Sequence, residues 1–206
     1  MSYFFTLEGI EGAGKSTVKN FFEDFFKMHN LPYLITREPG GTEISEKIRQ
    51  ILLEEYQEKM IDDTELLLYF AGRAQHLSQV ILPALKQKIN VISDRFTEAT
   101  FAYQCGGRGI AWEKIAILEQ LIQKDFRPDK VFLLDLPVEI GLSRIKNRGY
   151  LDRIEKETVL FFEKVRKTYL EMAKRFPKRF QILDATLPLD ILRKEIFQIL
   201  KQMFNL

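Results

Sequence analysis

A short glycine-rich segment holds the residues whose types and spacing point most directly to chemistry. It consists of Gly9, Ile10, Glu11, Gly12, Ala13, Gly14, Lys15, Ser16 and Thr17. This order fits the pattern G-x-x-x-x-G-K-[ST], in which backbone N–H groups surround a triphosphate, the lysine contacts its outer phosphates and the serine hydroxyl ligates Mg²⁺. An apolar run precedes the segment and a helical pattern follows it, as such a loop requires. The segment therefore predicts a nucleoside triphosphate site, with Ser16 as a metal ligand.

Charged residues also follow two other apolar runs of the chain. Arg37 stands just before a Pro-Gly-Gly turn, and a guanidinium on such a stiff corner is suited to bind a second phosphate. The next run ends in Asp94 and Arg95, which fit Mg²⁺ binding by the carboxylate and anion binding by the guanidinium. Plainer interpretations stay open at this point, namely an ordinary surface arginine at position 37 and a simple ion pair at 94 and 95.

A basic stretch near position 150 has the composition of a mobile lid. Between Ser143 and Arg153, a basic helix end meets Gly149 and a short connector. Closing arginines would place positive charge around a transferring phosphoryl group and exclude water from it. We expect the lid at about 144–154, with a solvated helix end as the alternative.

The elements that must position these residues follow from the hydrophobic pattern. Apolar runs rich in β-formers occur at 3–8, 32–36, 89–93, 130–136 and 180–183. Amphipathic stretches predict helices at about 15–29, 43–55, 63–87, 112–124, 137–147, 155–175 and 189–204. Their alternation predicts a three-layer α/β/α fold around a parallel sheet, in which ligands gather at the carboxyl ends of the strands. The region 95–111 has no clear pattern.

Composition limits the classes of protein to which the chain can belong. With 206 residues and 46% hydrophobic content, we expect a single domain over 1–206. The 31 basic and 29 acidic residues leave a net charge of only +2, which predicts neither a nucleic-acid nor a membrane partner. One cysteine, Cys105, cannot form an intrachain disulfide, and no signal or membrane-spanning pattern occurs, so we expect a cytoplasmic protein. His29 and His76 lack metal-ligand spacing and receive no role.

Four segments taken together are similar to the thymidylate kinase family in their order and spacing. They are the glycine-rich loop at 9–17, Thr-Arg-Glu-Pro-Gly-Gly-Thr at 36–42, Asp-Arg-Phe at 94–96 and Leu-Asp-Arg-Ile-Glu at 151–155. The second segment is the most specific, and the resemblance covers essentially the whole chain. It implies a P-loop NTPase-type fold with a five-stranded parallel sheet. It also implies transfer of the γ-phosphoryl group of ATP to dTMP with Mg²⁺, in a homodimer.

The resemblance also implies roles for individual residues. The catalytic residues would be Lys15, Asp94, Arg95, Arg148 and Arg153. On the acceptor side, Glu11 would face the deoxyribose 3′-hydroxyl, and the further dTMP contacts would be Arg37, Tyr69, Arg73, Arg95, Thr100, Tyr103 and Gln104. On the donor side, Arg144 and Ala185 would join the loop in binding ATP, while Asp94 would lie near Mg²⁺ together with Ser16.

The loop also indicates which branch of the family the chain resembles. Some members carry an additional arginine inside the phosphate loop, whereas the common bacterial type carries it in the lid. Positions 10–13 contain no arginine, so Arg148 and Arg153 would supply the mobile charge. Two residues depart from the family pattern: Tyr69 stands where phenylalanine usually stacks on thymine, and Phe96 stands where tyrosine or histidine is frequent.

Two other functions remain open from the residues. One is a kinase for a different nucleoside monophosphate. The other is a GTP-dependent switch, although the guanine signature Asn-Lys-x-Asp is absent from the sequence. The apolar helix from about 63 to 85 fits either a subunit interface or a buried core helix.

Overall fold

Five short apolar segments pair into one parallel sheet. The structure is a computed structural model, and it describes residues 2–146, 149 and 151–206. Its strands are β1 (Phe4–Glu8), β2 (Tyr33–Arg37), β3 (Asn90–Asp94), β4 (Lys130–Asp135) and β5 (Phe180–Asp184). They lie in the order β2-β3-β1-β4-β5, and each neighbouring pair is parallel. The predicted α/β fold with five parallel strands is confirmed, and the strand bounds agree with the prediction to within one residue.

Helices connect the strands and cover both faces of the sheet. They are α1 (Lys15–Met28), α2 (Glu43–Leu53), α3 (Asp62–His76), α4 (Leu82–Lys86), α5 (Thr97–Thr100), α6 (Trp112–Gln123), α7 (Val138–Lys146), α8 (Val159–Arg175) and α9 (Leu189–Phe204). Two π-helical segments, Leu77–Ile81 and Phe101–Gly107, join α3 to α4 and extend α5. Within the described part of the chain, no helix is both long and apolar enough to cross a membrane.

The helices differ from the prediction at two places. The helix expected at 63–87 is interrupted by the first π-helical segment, because helical periodicity alone does not distinguish π from α turns. The helix expected at 155–175 begins only at Val159, where the Thr158 hydroxyl caps it by accepting a hydrogen bond from Phe161 N at 3.2 Å. The unassigned region 95–111 contains α5 and the second π-helical segment.

Aromatic residues fill the space between sheet and helices. Neighbouring residues of a strand face opposite sides, so Phe4 and Phe5 enter two separate hydrophobic clusters. On one side, the Phe22 ring of α1 packs edge-on against Phe132 of β4 with centroids 5.0 Å apart. On the other side, Phe4 packs edge-on against Phe96, also at 5.0 Å. This packing fixes the carboxyl edge of the sheet, from which the loops after β1, β2 and β3 project together.

Candidate active site

The phosphate loop depends on glycines that no other residue could replace without strain. Between β1 and α1, Gly9, Gly12 and Gly14 have φ angles of 136°, 71° and 92°, in the region that glycine favours. A Cβ at Gly12 would lie 2.1 Å from the carbonyl oxygen of Gly141 in α7. The loop therefore packs backbone against backbone on the helix that leads toward the predicted lid.

Lys15 closes this loop with its own ammonium group. Its Nζ donates hydrogen bonds to the carbonyl oxygens of Gly9 at 3.2 Å and Ile10 at 3.0 Å. Burial, together with the positive charge of Arg95, lowers the pKa of Lys15 to about 8. An anionic ligand in the loop would therefore stabilise the protonated form.

Ser16 and Asp94 form the candidate magnesium site. Both line the same cleft, with the Ser16 side chain exposed in the first turn of α1 and Asp94 at the end of β3. Within the described residues, no cluster of three or more His, Cys, Asp or Glu side chains could enclose a metal. A hydroxyl and one carboxylate fit Mg²⁺, which commonly takes its other ligands from substrate phosphates and water. The donor set thus suits a metal that arrives with the nucleotide.

Arg95 is the most highly connected side chain of the site. It has a left-handed φ of 71°, and its Nη1 donates to Gly9 O at 3.0 Å and to the Tyr169 hydroxyl at 3.2 Å. Its Nη2 donates to Glu11 Oε1 at 2.8 Å and to the Tyr103 hydroxyl at 3.0 Å. The Tyr103 hydroxyl in turn donates to Glu11 Oε2 at 2.5 Å. The structure therefore brings together Glu11, Arg95 and Tyr103, three residues that the sequence analysis selected.

Two cavities meet at this cluster. A cleft contains the phosphate loop, Arg37, Asp94 and Arg144 in its wall, and we call it the donor cleft. A pocket contains Tyr69, Arg73, Thr100, Tyr103 and Gln104 in its wall, and we call it the acceptor pocket. Glu11 and Arg95 line both cavities. A ligand in one cavity would therefore face a ligand in the other across these two side chains.

Arg73 is held rigidly in the wall of the acceptor pocket. It is only 2% exposed, and its Nε donates to Glu38 Oε2 at 2.7 Å. Its Nη1 and Nη2 donate to Thr100 Oγ1 and to the Phe96 carbonyl oxygen, both at 3.0 Å. Of the aromatic pair at 69 and 70, Tyr69 lines the pocket, whereas Phe70 belongs to the hydrophobic core.

The sequence analysis missed a buried chain of hydrogen bonds behind Arg73. His76 Nδ1 lies 3.0 Å from Glu38 Oε1, and its Nε2 lies 2.6 Å from Thr36 Oγ1. Because an ionised carboxylate only accepts, Nδ1 donates to Glu38, and in the neutral imidazole Nε2 then accepts from the threonine hydroxyl. His76 is fully buried and thus supports Glu38. Its only sequence signal was a spacing of three residues from Arg73, which places both on one helix face.

Two arginines of the β2–α2 region line the donor cleft. Arg37 is exposed and forms an ion pair with Glu46 at 2.7 Å. Arg49, which the sequence analysis did not select, lines both cavities and donates from Nη1 to the Pro39 carbonyl oxygen at 3.0 Å. Burial, followed by the nearby charge of Arg37, lowers the pKa of Arg49. Two guanidiniums this close to each other suit an anionic ligand between them.

Arg144, in the wall of the donor cleft, contacts the backbone of Ala185. The Arg144 guanidinium donates to the Gly12 carbonyl oxygen at 3.2 Å and to that of Ala185 at 3.5 Å. The Ala185 N–H donates to Asp135 O at 2.8 Å, which ties this turn to the end of β4. The two residues predicted for the nucleotide base side therefore lie next to the phosphate loop.

Of the two predicted lid arginines, Arg153 lies apart from this cluster. Arg153 Nε donates to the Leu52 carbonyl oxygen at 2.9 Å, and its Nη2 lies 2.6 Å from Glu65 Oε2. Arg153 is absent from the described residues that line the donor cleft and the acceptor pocket. Arg148, the other predicted lid arginine, lies outside the described residues.

Comparison with known proteins identifies the family. The family model described as thymidylate kinase matches residues 7–196. A thymidylate kinase of Pseudomonas putida is 53% identical over 193 residues, covering 94% of this chain and 92% of the relative. Another, from Pseudomonas savastanoi pv. phaseolicola, is 51% identical over 203 residues, covering 98% and 97%. A third, from Ectopseudomonas mendocina, is 53% identical and covers 88% and 87%. With the glycine loop, the Thr-Arg-Glu-Pro-Gly-Gly-Thr corner and two adjoining cavities in place, the chain belongs to the thymidylate kinase family.

Proposed function

We propose that phosphoryl transfer takes place where the donor cleft meets the acceptor pocket, between Lys15 and Arg95. The reaction is that of the family: the γ-phosphoryl group of ATP passes to dTMP, giving ADP and dTDP. One observation carries the assignment of the site, namely that Glu11 and Arg95 line both cavities. Family membership supports this reaction over the two alternatives that the sequence left open.

The transfer requires positioning and positive charge rather than a protein nucleophile. In this proposal, Lys15 and the loop N–H groups hold the outer phosphates of ATP, and Arg37 and Arg95 hold the phosphate of dTMP. Arg49 joins them, since it lines both cavities. Ser16 and Asp94 would hold Mg²⁺, which neutralises charge on the phosphates when it is bound.

The acceptor pocket has groups for both the sugar and the base of dTMP. In this proposal, Glu11 would accept a hydrogen bond from the 3′-hydroxyl, and Tyr103 would crowd the ribose 2′ position. Tyr69 would stack on thymine, while Arg73, Thr100 and Gln104 would face its polar edge. All of these side chains line the acceptor pocket, which supports the assignment. On the donor side, Arg144 and Ala185 would contact the base of ATP.

Arg153 completes the site only after a movement. Arg153 now contacts Glu65 and the end of α2. For Arg153 to stabilise the transferring phosphoryl group, it must leave these partners when the substrates bind. The role of Arg148 is proposed from the family resemblance alone.

We also propose a homodimer through α3 and α6. These helices contact each other, and they leave large apolar side chains exposed: Leu67 is 56%, Ile117 69% and Leu121 71% exposed. Exposed apolar side chains on two contacting helices suit a second copy of the chain. Mass measurement in solution would test it, and a monomer at micromolar concentration would contradict it. The single domain over 1–206 and the cytoplasmic location remain predictions of the sequence.

Two measurements test the assignment of the acceptor pocket: the preference among nucleoside monophosphates and the dependence on the acceptor 3′-hydroxyl. ADP release should be fastest with dTMP among dTMP, dUMP, dCMP and dGMP. With wild-type protein, removal of the acceptor 3′-hydroxyl should lower kcat/KM, and in a Glu11→Ala variant this difference should shrink. Equal rates with and without the 3′-hydroxyl in the wild type would contradict the placement of Glu11.

A further inference from the structure

One buried carboxylate connects three separate parts of the acceptor side. Glu65, near the start of α3, is 1% exposed. Its Oε1 accepts hydrogen bonds from Gln104 Nε2 at 2.9 Å and from Arg108 Nε at 3.1 Å. Its Oε2 accepts from Arg108 Nη2 at 3.2 Å and lies 2.6 Å from Arg153 Nη2. Glu65 is therefore surrounded by donors from the segment after β3 and from the predicted lid.

These donors keep Glu65 ionised. Burial alone raises the pKa of the carboxyl, but the hydrogen bonds and charge of Arg108, the Gln104 amide and the charge of Arg153 outweigh it. The pKa of Glu65 is consequently lower than its ordinary value. An ionised carboxylate has no proton to donate, so every neighbour must present a donor to it.

This requirement determines which way the Gln104 amide faces. Gln104 is 1% exposed and lines the acceptor pocket, as does Thr100 one helical turn before it. One N–H of its NH₂ group donates to Glu65, and the carbonyl oxygen is the acceptor that Gln104 can offer to a ligand. With Glu65 ionised, the reverse orientation would bring two acceptor oxygens together.

An oriented carbonyl oxygen distinguishes pyrimidine bases. Thymine carries an N–H donor at N3, whereas neutral cytosine carries a lone pair at the same atom. We propose that Glu65 is a positioning residue that makes the acceptor pocket selective for thymine over cytosine, because it holds the amide oxygen of Gln104 toward N3 of the base. This inference rests on the proposed function, and it assigns to Glu65 the choice between two pyrimidine acceptors.

Replacement of Glu65 by glutamine should reverse the orientation. The new side chain has one acceptor oxygen. Before Arg153 moves, two guanidiniums, those of Arg108 and Arg153, face the Oε2 position. The Oε1 position faces only one guanidinium donor, Arg108 Nε, beside the Gln104 amide, so the oxygen should take the Oε2 position. The NH₂ group of the new side chain would then stand at the Oε1 position, facing Gln104. Gln104 would turn its carbonyl oxygen toward residue 65 and its NH₂ group toward the base, which suits the cytosine lone pair.

The test is the ratio of kcat/KM for dTMP to that for dCMP, in the wild type and in Glu65→Gln. Effects on phosphoryl transfer, including any from a displaced Arg153, are common to both acceptors and cancel in the ratio. We expect the ratio to fall about tenfold or more, because a reversed amide leaves a thymine donor without an acceptor. Glu65→Asp, which keeps an acceptor-only group, should retain most of the preference.

Glu157→Gln is the matched control. The Glu157 carboxylate also accepts from Arg108, through Nη1, but the hydrogen bond of Gln104 Nε2 goes to Glu65. Loss of the Glu157 carboxylate disturbs the same ion cluster. It should leave the ratio of the two kcat/KM values within about twofold of the wild-type ratio. In a Gln104→Leu background, Glu65→Gln should add no further change to the ratio.

The outcomes separate this inference from the proposed function. A wild type that does not phosphorylate dTMP contradicts the proposed function. A wild type that prefers dTMP, together with a folded Glu65→Gln variant of unchanged ratio, overturns the role of Glu65 alone. If Glu65→Gln does not fold, as judged by circular dichroism, Gln104→Leu decides: an unchanged ratio in that variant overturns the inference, and a lowered ratio supports it.

Discussion

The donor cleft and the acceptor pocket are adjacent, but they are built in different ways. The donor side is made largely from one continuous segment, in which glycines, backbone N–H groups and Lys15 surround the space for phosphates. The acceptor side is made from side chains far apart in sequence, such as Glu38, Arg73 and Thr100. A phosphate needs only directed N–H groups and charge, whereas a base and a sugar must be distinguished by shape and hydrogen-bonding pattern.

The two sides should therefore respond differently to substitution. On the donor side, loss of a charge removes stabilisation of the transferring group. On the acceptor side, loss of one member of a buried network leaves its partner uncompensated and impairs binding of dTMP. The predictions below test this difference, beginning with the largest expected effect.

Lys15→Ala should lower kcat/KM for ATP by about 10³-fold, because the loop loses the charge that contacts the outer phosphates. Steady-state ADP release at saturating dTMP would measure it. Lys27→Ala, which removes an exposed lysine in the last turn of the same helix, should change nothing. A decrease of less than tenfold in Lys15→Ala would mean that backbone N–H groups alone hold the phosphates.

Arg153→Ala should lower kcat by about 10²-fold and leave dTMP binding largely intact, if this arginine leaves Glu65 to stabilise the transferring group. The measurement is kcat at saturating ATP and dTMP, together with the Kd for dTMP. Arg127→Ala, which breaks an ion pair with Glu119 elsewhere, serves as the control. An unchanged kcat would make the Arg153–Glu65 contact purely structural.

Arg73→Lys should raise KM for dTMP about 30-fold while KM for ATP stays the same. A lysine cannot reproduce the three contacts of Arg73 with Glu38, Thr100 and Phe96. Arg166→Lys is a matched control, since Arg166 forms a bidentate pair with Asp135 away from the acceptor pocket. An equal rise in both KM values would remove the distinction between the two sides.

The donor side should also be the more sensitive to alkaline pH. Burial lowers the pKa of Lys15 to about 8, so the free enzyme loses this charge as the pH rises above 8. Below that value the ammonium is intact, and kcat/KM for ATP should be flat before falling about tenfold by pH 9. Lys15→Arg should remove the decline. A wild-type profile that stays flat to pH 9.5 would contradict the lowered pKa.

Thr36→Val should give the smallest effect, a rise of about threefold in KM for dTMP. The hydroxyl contacts His76 Nε2, and its loss loosens Glu38 only through the imidazole. Thr64→Val, at an exposed position of α3, provides the comparison. If KM for dTMP does not change, the chain from Thr36 to Arg73 stabilises the fold without tuning the pocket.

The same difference explains how much could be predicted from the sequence. The five strands were predicted to within one residue because parallel strands covered on both faces are continuous apolar runs. The phosphate loop was predicted because its chemistry depends on consecutive residues. The break between α3 and α4 was missed, since a π-helical turn leaves no clear trace in the hydrophobic pattern.

On the acceptor side, most residues, such as Tyr69, Arg73 and Gln104, were selected only through the family resemblance, and their connections could not be predicted. Gln104 and Glu65 are 39 positions apart, and only the fold places them in contact. The fold likewise brings His76 into contact with Thr36. It also places Arg49 in the walls of both cavities. For Arg153, the resemblance predicts a function but not a partner. In the structure, Arg153 forms an ion pair with Glu65, which the sequence did not indicate.

The contact between Gly12 and Gly141 also limits how this enzyme could change over time. None of the four variable loop positions, 10–13, is free to accept an arginine. Ile10 and Ala13 are buried at 2% exposure, and Glu11 forms an ion pair with Arg95. At Gly12, any side chain would meet the backbone of α7. No single substitution can therefore transfer a lid arginine into the loop without displacing α7 or losing a loop contact. For this chain, an arginine in the loop would need a compensating change in α7 or among the contacts of the loop.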